Sequence, residues 1–246
     1  MKLHRTIARL FGYELIKRQK SPSPDAHLIN LITYHNIDLV LDVGANRGQF
    51  AYKLRREGYE GDIHSFEPIS EVFKELSEKT YQDKGWHAHQ LALGSEFGFA
   101  DVNVSTSSDL SSFLKANDFG HDRYKNIKPS KSEKVTVDTL DRFLPREISD
   151  YQNRNILLKM DTQGFDLEVF NGAVESVPHI HCILSELSLI PIYEDMPHYI
   201  ETLRAYEKAG FAVTGLFPIS RDADFSVVEM DCFMVNRKML GSPETR

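Results

Sequence analysis

Cysteine is nearly missing from this chain of 246 residues: Cys182 and Cys232 are the only two, too few for a disulfide framework and without metal-ligand spacing. A reducing compartment fits that usage, and the cytoplasm is the expected location. No apolar run approaches the roughly 20 residues that span a bilayer. The N-terminus is too charged and too interrupted for the apolar core of a signal peptide. An excess of positive charge is absent as well. With 29 Lys and Arg against 36 Asp and Glu, a formal net charge of −7, the chain lacks the clustered cations that neutralise phosphates, so nucleic acid is not an expected partner. Internal repeats and low-complexity tracts are missing too. What is present is ordinary for a folded protein, 41% hydrophobic and 26% charged residues, enough for one large α/β domain with a substantial core or at most two small ones.

The stretch Leu39 to Phe50, LVLDVGANRGQF, organises the rest. Leu39, Val40 and Leu41 read as a strand buried on both faces, and the glycines after it as a tight turn into a helix. A dinucleotide turn would show G-x-G-x-x-G with no acid beside the pyrophosphate. Here the spacing is Gly44-x-x-x-Gly48, and Asp42 stands two residues before the first glycine. A carboxylate there repels a pyrophosphate but suits a ligand with a cationic centre, such as the ammonium or sulfonium of S-adenosylmethionine, while helix amides and Asn46 take that ligand's carboxylate. The next apolar run ends at Glu67, 25 residues beyond Asp42, where a carboxylate can accept both hydroxyls of a ribose.

Taken in order, residues 1–20 carry six basic side chains against Glu14, with a thin apolar stripe through Leu3, Ile7, Leu10 and Leu15. A solvated helix capping the domain is preferred there over one resting on an anionic membrane surface, and weak membrane contact is the partner expectation that goes with the second reading. Ser21-Pro22-Ser23-Pro24 is a linker, which sets residues 1–24 apart from a domain at 25–246. Helices are expected from Asp25 to His35, Gln49 to Gly58, Ser70 to Lys79 and Pro197 to Gly210, and strands at Gly61 to Phe66, Trp86 to Leu91, Asn155 to Met160 and Ile180 to Leu187. The alternation points to a parallel sheet with right-handed crossovers. Phe211 to Phe217 and Ser226 to Val235 close it as an antiparallel pair, and the last ten residues are expected to fray. Regularity fails between Ser105 and Ser132, a polar stretch carrying Phe113, Phe119 and Tyr124, which reads as a substrate loop or lid before Val135, Val137 and Leu140 return to the sheet.

With these residues assembled, the chain resembles the FkbM family of S-adenosylmethionine-dependent methyltransferases. The likeness rests on LDVGANRGQF at 41–50, SFEP at 65–68, Ala92-Leu93-Gly94, and LLKMDTQGFDLEVFNGA at 157–173, and spans about residues 38–235. It implies a Rossmann-like class I fold: a mostly parallel seven-stranded sheet with an antiparallel C-terminal hairpin and helices on both faces. It also implies S-adenosylmethionine as cofactor, held by Asp42, Gly44, Ala45, Asn46, Gly48, Glu67, Pro68 and Ala92, and methyl transfer to a hydroxyl of a sugar, glycan precursor or secondary metabolite. Many relatives carry an acid where this chain has Gln163, which cannot act as a base.

The base is therefore sought in Asp161 first and Glu186 second, both at carboxyl ends of strands where open α/β sheets bind ligands. His89 and His121 are weaker candidates. A magnesium site at Asp161, Asp166 and Glu168 is disfavoured, because the last two fall on a helix start where acids already suit the dipole; no metal is expected. Tyr193 is read as a stacking surface for a sugar ring. The alternative function is a cofactor-binding module without catalysis, acting through the basic N-terminal helix on a membrane or a protein partner. Oligomeric state stays open between a monomer and a homodimer.

Overall fold

A computed structural model describes residues 6–8, 10–13 and 23–239. Residues 6–8 and 10 are helical, and Ile7, Leu10, Phe11 and Tyr13 are exposed; the rest of the expected basic helix, the first half of the linker and the C-terminal tail lie outside the described residues. Helix α1 (Pro24–Tyr34) starts where Ser23 Oγ accepts from the Ala26 amide and Pro24 takes the first helical position, where its missing N–H costs nothing. Leu28, Leu31 and Ile32 form its buried face.

The chain then alternates: β1 (Leu39–Val43), α2 (Gln49–Arg56), β2 (Asp62–Phe66), α3 (Ser70–Thr80) and β3 (Trp86–His89). After an excursion come α5 (Leu140–Glu147), β7 (Ile156–Met160), α6 (Asp166–Asn171), β8 (Ile180–Ser188), α7 (Tyr199–Lys208), β9 (Phe211–Arg221) and β10 (Val227–Asn236). Seven strands form one sheet in the order β3-β2-β1-β7-β8-β10-β9. All pairs are parallel except β10 with β8 and β9, the expected terminal hairpin. β1 and β7 are fully buried and read as continuous apolar runs because helices cover both faces. Leu39, Leu41 and Val43 pack with Phe143, Leu158 and Val169 on one face, and Val40 packs with Leu28, Leu54 and Leu157 on the other. The order reverses between β2-β1 and β7-β8, which opens a crevice at the carboxyl ends of β1 and β7.

The excursion departs from the sequence reading. Val135 and Val137 do not return to the main sheet. They lie on β6 (Pro129–Asp138), which pairs with β4 (Ala92–Leu93) and β5 (Gly98–Ser105) in a separate three-stranded sheet, and Leu140 opens α5. Ala92, Val102, Val104, Val135 and Val137 bury themselves on Ile69 and Val72. An alternating apolar pattern specifies a strand with one buried face, not which sheet receives it. Within 105–132 the chain is also more regular than expected, with a 3-10 turn at Ser108–Leu110, helix α4 (Asp118–Arg123) and the start of β6.

Candidate active site

The turn after β1 is shaped by its neighbours. Gly44 has φ +71°, and a Cβ there would lie 2.0 Å from the Asp161 carbonyl oxygen, so this position admits only glycine. Gly48 has φ +77°, and its absent Cβ leaves room for Trp86 and Leu76 at 2.7 and 2.8 Å. The amides of Gly44 and Ala45 both donate to Phe66 O at the end of β2. Asn46 Oδ1 accepts from Ser108 Oγ at 3.0 Å, and Arg47 donates to the same hydroxyl, which ties the turn to the excursion.

Asp42 corrects the sequence reading. It is fully buried and does not line the crevice. In register it stands between Ser65 on β2 and Lys159 on β7. Ser65 Oγ donates to Asp42 Oδ2 at 3.1 Å and accepts from Trp86 Nε1 at 2.9 Å. Lys159 Nζ lies 3.0 Å from Asp42 Oδ1, as an ion pair off hydrogen-bond alignment, and donates to Gly44 O at 2.9 Å and Val43 O at 3.3 Å. Burial alone would lower the pKa of the Lys159 ammonium; the carboxylates of Asp42 and Asp161 more than offset it and hold it above its usual value. The cation that Asp42 meets is thus this chain's own. Sequence reasoning passed over Lys159, although a lone charge inside the apolar run ILLKM was a legible signal.

Glu67 caps β2 with 5% exposure; its Oε1 accepts from the Ile69 amide at 2.8 Å, and the Asn46 amide also donates to the carboxylate. Burial raises its pKa to about 7, with those two amides pulling the other way.

Across the crevice Asp161 ends β7 with its side chain 42% exposed, 3.6 Å from Lys159 Nζ. Gln163, at φ +53°, donates from Nε2 to Asp161 Oδ1 at 3.3 Å and accepts from the Tyr193 hydroxyl at 3.0 Å. Tyr193 is buried, so it serves as a strut beneath Gln163 and not as the stacking surface read from the sequence. Glu186, on β8, lies near Asp161, and burial together with the charges of Asp161, Glu229 and Asp166 holds its carboxyl well above the usual range. Burial, with Asp161 nearby, lifts Asp231 on β10 to about 6. Asp166 is not free for a metal, since it accepts from Thr162 on one oxygen and from Ser185 and the Glu186 amide on the other. Among the described residues no group of three or more His, Cys, Asp or Glu is arranged to hold an ion.

Gly44, Ala45, Asn46, Glu67, Pro68, Ala92, Asp161 and Glu186 line a single cavity of about 470 Å³; Asp42 and Gly48 stand behind it. Lys159, Glu229 and Asp231 line it too and were not anticipated; Lys159 lies within an apolar strand, and the other two lie on the terminal hairpin, to which no site residue was assigned. His89 is elsewhere, its Nε2 3.0 Å from Nδ1 of buried His64, with burial lowering the two to about 4 and about 3. His121 lines a separate cavity of about 220 Å³.

Comparison with known proteins follows the same outline. The model of a family described as Methyltransferase FkbM domain matches residues 42–213. A protein named Methyltransferase 1 from Beauveria bassiana is 25% identical over 185 residues, covering 71% of this chain and 72% of that protein. Among solved structures, magnesium protoporphyrin IX methyltransferase from Synechocystis, with bound SAM, has 10% identity, covers 86% of this chain and 77% of its own, and gives a TM-score of 0.46. A SAM-dependent methyltransferase from Aquifex aeolicus has 11% identity, coverages of 85% and 88%, and a TM-score of 0.40.

Proposed function

The chain belongs to the FkbM methyltransferase family, and from that premise we propose that it moves a methyl group from S-adenosylmethionine to a hydroxyl oxygen of a small molecule, of the sugar, glycan-precursor or secondary-metabolite class. The observation that carries this reading is the convergence of the Gly44 turn, Glu67 and Asp161 on one cavity at the switch point of the sheet. The donor fits these residues: Glu67, a buried carboxyl with only one oxygen on the Ile69 amide, can accept from a ribose diol, while Ala45, Asn46, Pro68 and Ala92 form the walls around it.

When bound, the donor supplies an electrophilic methyl, whose S–C bond breaks as the O–C bond forms and whose sulfur keeps the electron pair. Everything else falls to the chain. Positioning is the larger share, since well-oriented reactants gain on the order of 7 to 11 kcal/mol. Asp161 accepts the hydroxyl proton, held in place by the Gln163 amide and by Lys159. Glu186, whose carboxyl burial and the charges of Asp161, Glu229 and Asp166 hold well above the usual range, stands beside Asp161 as the second candidate. The excursion at 105–129 closes over the cavity through Ser108 to Phe113 and keeps water from the donor.

The test is calorimetric titration of S-adenosylhomocysteine into the wild type and Glu67→Ala. Micromolar binding that weakens at least ~100-fold in the variant supports the donor and its ribose contact. No binding to the wild type at millimolar ligand removes the reading.

A further inference from the structure

Beyond Asp161, the base of the proposed reaction, the cavity presents further acids to whatever binds beside the donor. Its far side is lined by Asp161, Glu186, Glu229 and Asp231, from β7, β8 and β10. The lysines on its wall are already engaged, Lys53 with Asp25 and Lys159 with Asp42. Arg123, stacked over the Tyr124 ring, pairs with Asp222, donates to the Arg221 carbonyl and acts on Glu229 through its charge.

Glu229 is the most informative of the four. It is 6% exposed, and its Oε2 accepts both the Tyr124 and the Ser220 hydroxyls, at 2.9 and 2.7 Å. Its Oε1 has no hydrogen-bond or ion-pair partner among the described residues, and the side chain lines the cavity. Asp231, two residues on along the same strand, has no such partner on either oxygen among the described residues. Glu229 is buried and Asp231 half-buried, so each carboxylate is partly withdrawn from water, and a neutral hydroxyl compound offsets little of that cost. A cation placed between two such groups offsets much more, through charge-assisted hydrogen bonds in a low-dielectric site.

The geometry points to a methyl acceptor that carries a protonated amine beside its hydroxyl, with an amino sugar as the fitting class: Glu229 and Asp231 hold the ammonium while the hydroxyl faces Asp161. The inference rests on the methyltransferase reading above. The ammonium keeps its protons throughout; the O–CH3 bond forms, the S–CH3 bond breaks, and the hydroxyl proton passes to Asp161. Burial and the Asp161 carboxylate lift Asp231 to about 6 against the pull of Lys53 and Lys159, and burial with neighbouring acids holds Glu186 well above its usual range; a cation beside them relieves part of that cost.

Two probes test it by calorimetry at pH 8. Sinefungin bears an ammonium where the transferred methyl sits, pointing toward the acceptor side, and S-adenosylhomocysteine bears nothing there. The wild type should bind sinefungin at least ~10-fold more tightly, and that ratio should fall by roughly threefold or more in Asp231→Asn and in Glu229→Gln. Asp231 has no partner to lose, so its variant keeps the test valid even where Glu229→Gln does not fold. Equal affinity for the two compounds, or a ratio that survives both variants, overturns the cation subsite while leaving the methyltransferase standing; failure of both compounds to bind overturns both. A second arm measures methyl transfer to glucosamine, N-acetylglucosamine and glucose. Preference for glucosamine supports the proposal, and preference for either uncharged sugar sinks it.

Discussion

Across the cavity from one another, the turn after β1 and the rims of β8 and β10 treat buried polar atoms in opposite ways. In the turn, the Gly44 and Ala45 amides donate to Phe66, the Val43 and Gly44 carbonyls accept from Lys159, and Asp42 lies between Ser65 and that same lysine. On the rims, Glu229 keeps one oxygen without a partner and Asp231 keeps two. An ion-paired and hydrogen-bonded network holds a backbone in one conformation, even with Asp42 Oδ1 meeting Lys159 off hydrogen-bond alignment, whereas carboxylate oxygens that face a cavity without a partner are available to a ligand. The turn is thus prepared before anything binds, and the rims are completed by what binds.

Three measurements press on that contrast. The largest effect is expected from Lys159→Met, which leaves the carboxylate of Asp42 buried at 0% exposure without its counter-charge. Breaking a buried pair in this way costs about 3 to 5 kcal/mol, to be read as a fall in the denaturant midpoint at pH 7. A loss under about 1 kcal/mol would erase the difference between the two sides. Asp161→Asn comes next, from the partly exposed side. It should lower turnover by more than ~100-fold, about 2.7 kcal/mol of transition-state stabilisation, while the melting temperature and the affinity for S-adenosylhomocysteine hold steady; parallel loss of stability would put Asp161 with the turn instead.

The smallest effect sharpens the contrast from within, because Glu67 belongs to the turn side and lines the cavity. Its pKa in the folded protein is raised to about 7, so the free site is about one-tenth ionised at pH 6 and about nine-tenths at pH 8. A ribose diol donates to the ionised form, so affinity for S-adenosylhomocysteine should rise about ninefold across that window. The same raised pKa makes the stability contribution of Glu67 run the other way: it is present below the unfolded value near 4.5 and is lost as pH climbs through 7. Affinity that stays flat from pH 6 to 8 would take Glu67 out of the ribose contact, and Glu67→Ala should in any case abolish the slope.

Much of the fold was legible because β1 and β7 announce themselves as apolar runs and the two glycines after β1 mark a turn. The second sheet was not, since Val135 and Val137 carry the same alternation wherever their strand docks. At the site, Asp42, Glu67 and Asp161 stood out as acids at strand ends, but their partners are long-range. Lys159 lies 117 positions from Asp42 in sequence and meets it only through the β1–β7 register. Asn46 was read as a hand for the ligand's carboxylate; Ser108 takes its Oδ1 and leaves its amide nitrogen, a contact that depends on how a loop of uneven pattern folds back. Glu229 and Asp231 sit in a strand read only as half of an antiparallel pair, and the pairing of β10 with β8, which sets Asp231 opposite Glu186, brings them to the cavity.

The chain has one tryptophan, and its indole is wired to the turn: Trp86 Nε1 donates to Ser65, Ser65 donates to Asp42, and the ring fills the space that Gly48 leaves open. Nature has therefore installed a single fluorophore directly behind the cofactor loop, with no second indole to blur its emission. Excitation near the red edge, where the ten tyrosines are silent, turns any rearrangement of that loop into an optical signal from the unlabelled protein.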